Sequence, residues 1–181
     1  MRPPFRAAGP AIPDESAANS LATTFNRSEF SVASVTKGEK RRGPVPPFTT
    51  STFQQAAVNR LGMSAARAMG IAQELYEGVN GQSGLITYMR TDSVSISPIA
   101  RRQARDWISG AWGNQFIPDK ERVYATRSKG AQEAHEAIRP AGDTFKTPGE
   151  LRAELNADEF ALYDLIWKRT VASQMANAQV A

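Results

Sequence analysis

Tyr88 and Arg90 stand two residues apart in the run Gly84-Leu85-Ile86-Thr87-Tyr88-Met89-Arg90-Thr91-Asp92-Ser93. In an extended chain, residues at i and i+2 share a face, so the phenol and the guanidinium point the same way. A phenol is a weak nucleophile at its ordinary pKa of about 10. A neighbouring cation favours its charged form, and the same cation can neutralise charge that builds up on a phosphate under attack. The chemistry within reach is nucleophilic attack on a phosphodiester. The window alone is also compatible with a packing tyrosine followed by a polar turn, because short motifs carry a high false-positive rate.

The elements that must hold this pair follow from caps and spacing. Thr49 to Thr52 supply N-cap hydroxyls for a helix running to about Leu61 and stopped by Gly62. Ser64 caps a second helix, whose apolar residues Ala68, Ile71, Ala72 and Leu75 keep helical spacing. Residues 78–84 form a flexible loop, and Leu85 to Tyr88 read as a strand. Ser97-Pro98 starts a helix that ends near Trp112, before Gly113. Val123-Tyr124-Ala125 reads as a short strand. Thr147 with Glu150, and Asn156 with Glu159, form capping boxes. The second box opens a long helix to about Met175, with Leu162, Leu165, Ile166 and Val171 inward.

Ahead of these, residues 1–28 are rich in Pro, Ala, Ser and Gly and read as a disordered or loose tail. Phe30 to Val35 alternates and predicts a strand. Residues 37–47 read as a basic, proline-stiffened linker. The expected fold class is mainly α with short strands, with the main domain over 48–176 and helix–turn–helix geometry among its helices.

Composition narrows the function classes. The chain has 181 residues, 22 basic and 18 acidic, for a net charge of +4, which suits a polyanionic partner without requiring one. It has no cysteine and a single histidine, His135, so thiolate metal sites, cysteine nucleophiles and multi-histidine metal centres are excluded. No apolar run approaches the roughly 20 residues of a membrane span, and the N-terminus lacks a signal-peptide pattern. A cytoplasmic protein with no membrane partner is the expectation.

Four segments in order resemble the type IA DNA topoisomerases. They are Pro47-Phe48-Thr49-Thr50-Ser51-Thr52-Phe53-Gln54-Gln55-Ala56-Ala57, Ala72-Gln73-Glu74-Leu75-Tyr76, the Gly84–Ser93 run, and Ala131-Gln132-Glu133-Ala134-His135-Glu136-Ala137-Ile138-Arg139-Pro140. Leu165-Ile166-Trp167 and Ser173-Gln174-Met175 resemble that family's long closing helix. Two departures are a longer loop before the tyrosine strand and Ala141 after Pro140, where a threonine is common. The resemblance implies the helical catalytic-tyrosine domain of that fold. It also implies one strand of the adjoining arch domain within 29–47 and a return to the arch at 177–181.

The same resemblance implies that Tyr88 attacks one DNA strand and becomes joined to its 5′ phosphate. The other strand then passes through the gap before the 3′ hydroxyl reseals it. Arg90 would hold the scissile phosphate, and His135 would bind phosphate or shuttle a proton. Asp92 would orient His135; Thr87 and Arg139 carry over as local support or DNA contacts. Arg101, Arg102 and Arg105 form a cationic helix face, either solvated or set against DNA. Trp107 and Trp112 read as core rather than as base-stacking platforms.

Family members bind magnesium on an acidic cluster in another domain, which this sequence does not contain; the chain itself is expected to bind no metal. Implied partners are single-stranded or negatively supercoiled DNA and the remaining domains of the enzyme, with the protein nucleoid-associated through its DNA and its oligomeric state open. Two alternatives come from other classes. A non-catalytic DNA-binding module would keep the scaffold; a relaxase or tyrosine recombinase would need a histidine cluster or a different arginine order.

Overall fold

The computed structural model describes residues 12–36, 38–81, 83–124, 135–142 and 144–180. They fall into two compact units, 1–38 and 39–181. In the first, helix α1 spans Glu15–Arg27. Its cap is Asp14, whose carboxylate accepts from the Ala17 amide at 2.8 Å, and Glu15 and Arg27 suit the two ends of the helix dipole. Within the stretch read as a loose tail, residues 15–27 are therefore helical, and residues 1–11 lie outside the described residues. Ala18, Leu21, Ala22 and Phe25 keep helical spacing within α1, a signal that the Pro-, Ala- and Ser-rich composition around it obscures, although no residue of the helix is buried.

Phe30 to Val35 forms no strand, and Phe30, Val32 and Val35 are all exposed. Alternation describes a strand's faces but supplies no partner for its amides and carbonyls. The strand lies instead in the basic segment read as a linker. In the second unit, β1 (Lys40–Arg42) pairs antiparallel with β2 (Ala178–Val180), placing Arg41 opposite Gln179.

Among the described residues this unit also holds four α-helices and a short 3-10 helix at Asn114–Phe116, and it is mostly helical as expected. The α-helices are α2 (Thr50–Leu61), α3 (Ala65–Glu77), α4 (Pro98–Trp112) and α5 (Ala157–Ser173). Side chains set each start. Thr49 and Thr52 form a reciprocal capping box on α2, Ser64 caps α3, Ser97 caps α4 ahead of Pro98, and Asn156 with Glu159 boxes α5. Gly62 ends α2 at φ +67°, a left-handed conformation that glycine adopts without strain. Residues 62–64 join α2 to α3 as a helix–turn–helix pair in connectivity.

Two expected elements differ. The Thr147–Glu150 box forms, with Glu150 accepting from the Thr147 amide at 2.6 Å, but residues 148–154 are turns rather than helix. The Thr147 amide and hydroxyl hold the Glu150 carboxyl below its usual range. Val123 and Tyr124 are not strand, and Ala125 lies outside the described residues. The Tyr124 hydroxyl donates to the Ser173 carbonyl at 3.0 Å.

The core centres on α5. Its Leu162, Leu165, Ile166 and Val171 pack with Phe53 and Ala57 of α2, Ala68, Ala72 and Leu75 of α3, and the loop residues Phe48, Ile86, Met89 and Ile138. Trp107 sits edge-on to both Trp112 and Trp167, at centroid distances of 4.7 and 4.5 Å. Trp167 is buried and Trp112 exposed, so Trp107 closes one rim of the core. Arg169 lies over the Phe48 ring at 4.2 Å and donates to the Pro46 carbonyl at 3.2 Å, fixing the approach to α2.

The strand expected at Leu85–Tyr88 is reduced to an isolated bridge, Ile86 with Pro140, beside a second between Phe48 and Ile138. Pro140 has no amide hydrogen, which limits a regular ladder there. On its other side the tyrosine segment is held by the end of α3, where the Leu85 amide donates to the Leu75 carbonyl at 2.7 Å. That approach depends on Gly84, because a Cβ there would meet the Tyr76 carbonyl oxygen at 2.3 Å.

Gly84→Ala is expected to destabilise the chain by roughly 1–3 kcal/mol through forced backbone displacement. Gly70→Ala lies in open space on α3 and is expected to stabilise it by about 0.5–1 kcal/mol. Urea denaturation of both variants checks the pair, and equal effects would contradict the packing described for Gly84.

Candidate active site

Met89 is fully buried between two exposed neighbours, Tyr88 and Arg90. The alternation that sends Met89 into the core therefore turns the phenol and the guanidinium outward together. Tyr88 Oη lies 3.5 Å from Arg90 Nη1, and the tyrosine side is open, with Tyr88 37% exposed. The His135 ring centre is 6.3 Å from that of Tyr88. On the other flank the Tyr76 ring meets Tyr88 edge-on at 5.3 Å, and Arg90 Nη1 donates to Gln73 Oε1 at 3.1 Å.

The first turn of α2 forms the adjoining wall. The Thr50 amide donates to the Thr91 carbonyl at 2.8 Å. Its hydroxyl donates to the Met89 carbonyl at 2.7 Å and accepts from the Thr91 amide at 2.8 Å. Thr49, Thr50, Ser51, Arg90, Thr91, Asp92 and His135 then line one cleft of about 490 Å³. The positive end of the α2 dipole, the Arg90 guanidinium and an imidazole thus converge where an anion would sit. Asp92 and His135 share this cleft.

Thr87 serves the scaffold. Its hydroxyl donates to the Ala137 carbonyl at 2.7 Å and accepts from the Arg139 amide at 3.0 Å, tying the tyrosine segment to the segment that follows His135. Arg139 also turns inward: its side chain is 12% exposed, in an ion pair with Glu136, and Nη1 donates to the Pro140 carbonyl at 2.7 Å. Glu136 accepts in addition from the Ser97 amide, coupling this segment to the start of α4.

The α4 arginines divide in the same way. Arg101 is 14% exposed, paired with Glu121 at 3.1 Å, and donates to the Ile96 carbonyl at 2.8 Å. Half-buried Arg105 donates to the Pro118 carbonyl at 3.2 Å. Arg102 is exposed. The structure therefore brings together Tyr88, Arg90, Asp92 and His135, places Thr87 and Arg139 beneath them, and leaves the α4 arginines outside the cleft. Residues 131–134 of the His135 motif lie outside the described residues.

Four participants have no role assigned from sequence: Thr50, Gln73, Tyr76 and Glu136. Gln73 and Tyr76 stand at i and i+3 on one helix, a spacing that places them on a shared face. Thr50 and Glu136 act on residues distant in the chain, which local pattern does not reveal.

A profile of the DNA topoisomerase family matches residues 6–181. DNA topoisomerase 1 of Mycolicibacterium smegmatis is 49% identical over 166 residues, covering 92% of this chain and 17% of that protein. DNA topoisomerase 1 of Xylella fastidiosa is 50% identical over 151 residues, covering 81% of this chain and 18% of that one. Among solved structures, full-length topoisomerase I from Thermotoga maritima aligns with a TM-score of 0.74 at 40% identity, over 90% of this chain and 26% of its own. The chain spans under a fifth of the length of these curated relatives.

Thr50→Val removes the hydroxyl while keeping its volume. It is expected to cost about 1–3 kcal/mol, because the Thr91 amide and the Met89 carbonyl lose a partner in a part-buried site. Hydrogen exchange at the Thr91 amide should accelerate in step. An unchanged Thr91 exchange rate would show that Thr50 does not anchor the cleft.

Proposed function

The chain belongs to the type IA DNA topoisomerase family, and from that premise we propose that it carries the strand-cutting half-site of such an enzyme, with Tyr88 as the nucleophile. The observation that carries this reading is the exposed Tyr88 Oη, 3.5 Å from Arg90 Nη1, beside a cleft lined by His135 and the start of α2. In the proposed step Tyr88 Oη attacks the phosphorus of one DNA strand. The Oη–P bond forms as the bond from phosphorus to the 3′ oxygen breaks, so the 5′ phosphate stays on the tyrosine. The phenol gives up its proton and the departing 3′ oxygen gains one. Resealing is the reverse attack by the 3′ hydroxyl.

Arg90 would neutralise charge on the phosphoryl oxygens as it develops. His135 would hold a phosphate oxygen or pass the proton. The substrate would be single-stranded or negatively supercoiled DNA, with strand passage and relaxation belonging to the complete protein. Magnesium stays part of the proposal as a group held outside this chain. Among the described residues no three or more acidic, histidine or cysteine side chains gather to hold a metal ion, so no step here passes through one. Among those residues no helix is long and apolar enough to cross a membrane. A cytoplasmic place on the nucleoid follows from the proposed substrate.

One half-site positions one side of the phosphate, and strand passage needs both sides and a gate. The isolated chain is expected to bind single-stranded DNA weakly and salt-sensitively, and to leave a negatively supercoiled plasmid unrelaxed. Relaxation by the purified 181-residue chain, lost in Tyr88→Phe, would overturn that expectation. With the remaining portion of the protein supplied in trans, a labelled oligonucleotide should become covalently attached at Tyr88. Tyr88→Phe should abolish attachment, and Arg90→Ala should slow it by roughly 100-fold or more. Binding without attachment would instead favour a non-catalytic DNA-binding module.

A further inference from the structure

Arg90 reaches Tyr88 from the side of α3, and that side is built from Gln73, Tyr76 and Glu77. These occupy positions i, i+3 and i+4, so one helical face presents all three. Glu77 accepts from Gln73 Nε2. A carboxylate can only accept, so this bond fixes which end of the amide is which: the nitrogen faces Glu77 and the oxygen must face away. Gln73 Oε1 then accepts from Arg90 Nη1 at 3.1 Å, and that same Nη1 lies 3.5 Å from Tyr88 Oη.

The partner's neutrality matters. A carboxylate at position 73 would hold Arg90 equally well but would neutralise it and repel an incoming phosphate. An amide oxygen fixes one nitrogen of the guanidinium, keeps the full positive charge, and leaves the other donors of the planar fork open. We infer that Gln73, keyed by Glu77, is the positioning residue that sets Arg90 over the Tyr88 hydroxyl while leaving its charge available to a DNA phosphate. The inference rests on the reading of Tyr88 as the nucleophile.

Two variants of the 181-residue chain test it. Gln73→Leu removes the acceptor, and Gln73→Glu restores it with a negative charge. Gln73 is half-buried on a helix face, with no part in the buried core cluster, so both variants are expected to fold, and a melting curve of each checks this. The first readout is the nitrogen NMR spectrum of Arg90. Its guanidinium signals should be distinct in wild type and in Gln73→Glu, and averaged by rotation in Gln73→Leu. The second is the rate of covalent attachment at saturating single-stranded oligonucleotide, with the remaining portion of the protein supplied. Gln73→Leu should lower that rate by about 100-fold with little change in oligonucleotide affinity, whereas Gln73→Glu should weaken affinity, most of all at low salt.

Unchanged Arg90 signals and an unchanged attachment rate in Gln73→Leu would overturn the inference. So would wild-type oligonucleotide affinity in Gln73→Glu. If wild type forms no adduct while Gln73→Leu still frees the Arg90 guanidinium, the positioning contact stands and the reading of Tyr88 as nucleophile is what fails.

Discussion

The segment from Ala137 to Ala141 is the member on which the rest of the site depends. Each of its amides has a place. Ala137 donates to the Ser95 carbonyl at 2.8 Å, Ile138 to that of Phe48 at 2.8 Å, and Ala141 to that of Leu85 at 2.9 Å. Arg139 donates to the Thr87 hydroxyl at 3.0 Å and accepts from the Thr87 amide at 2.9 Å. Pro140, the one residue without a donor, falls where none is needed. Ile138 is fully buried, and a buried backbone must satisfy its polar groups. Burial of this short run therefore draws the tyrosine segment to one side and the entry to α2 to the other. The position of His135 relative to Tyr88 follows, because both ride on the ends of paired segments.

Charge is distributed over this frame by a consistent rule. Arg139 and Arg101 are largely buried and each meets a carboxylate, Glu136 and Glu121 respectively. Those pairs fasten the start of α4 and the segment after His135. Desolvated charges persist in such places only when paired and hydrogen-bonded. Arg90 is exposed, and its Nη1 contacts are a neutral amide and a phenol. An arginine held by a neutral partner keeps an electrostatic field that an ion pair would quench. The structural arginines and the one facing the cleft are thus distinguished by what opposes them, not by their distance from Tyr88 along the chain.

The helices of the second unit were legible because their signals are local. Thr49, Ser64, Ser97 and Asn156 each bond an amide within three residues, and Gly62 ends its helix through its own φ. Tyr88 and Arg90 were legible as a pair for a related reason: the period of an extended chain turns Met89 inward and its neighbours out. Strands were not. Phe30 to Val35 has the right alternation, yet Lys40–Arg42 finds a partner in Ala178–Val180, far beyond any sequence window. The same limit hid the inward turn of Arg101, since a cationic helix face reads alike whether or not a glutamate from another segment reaches it. Helix α1 is obscured for a different reason: its Asp14 cap and the helical spacing of Ala18, Leu21, Ala22 and Phe25 are local signals, but they sit in a stretch whose composition reads as a tail.

The openness of the cleft bears on how such a site can work. Arg90 and the α2 dipole act on a phosphate in proportion to how well water is kept out, because a charge pair 4 Å apart is worth about 1 kcal/mol in bulk water and several times that near a protein surface. Tyr88, Arg90, Asp92 and His135 are all exposed, and among the described residues no side chain of this unit roofs the phenol. Preorganisation is present in the hydrogen bonds that fix Thr50, Thr87 and Arg90; desolvation is not. A strand of DNA laid along the cleft would exclude part of that water, and the side facing this cleft would have to exclude the rest. The geometry therefore suits one wall of a closing site, in which Tyr88 and Arg90, the proposed nucleophile and its cation, are held ready and the dielectric change that would give them their effect comes from whatever closes over them.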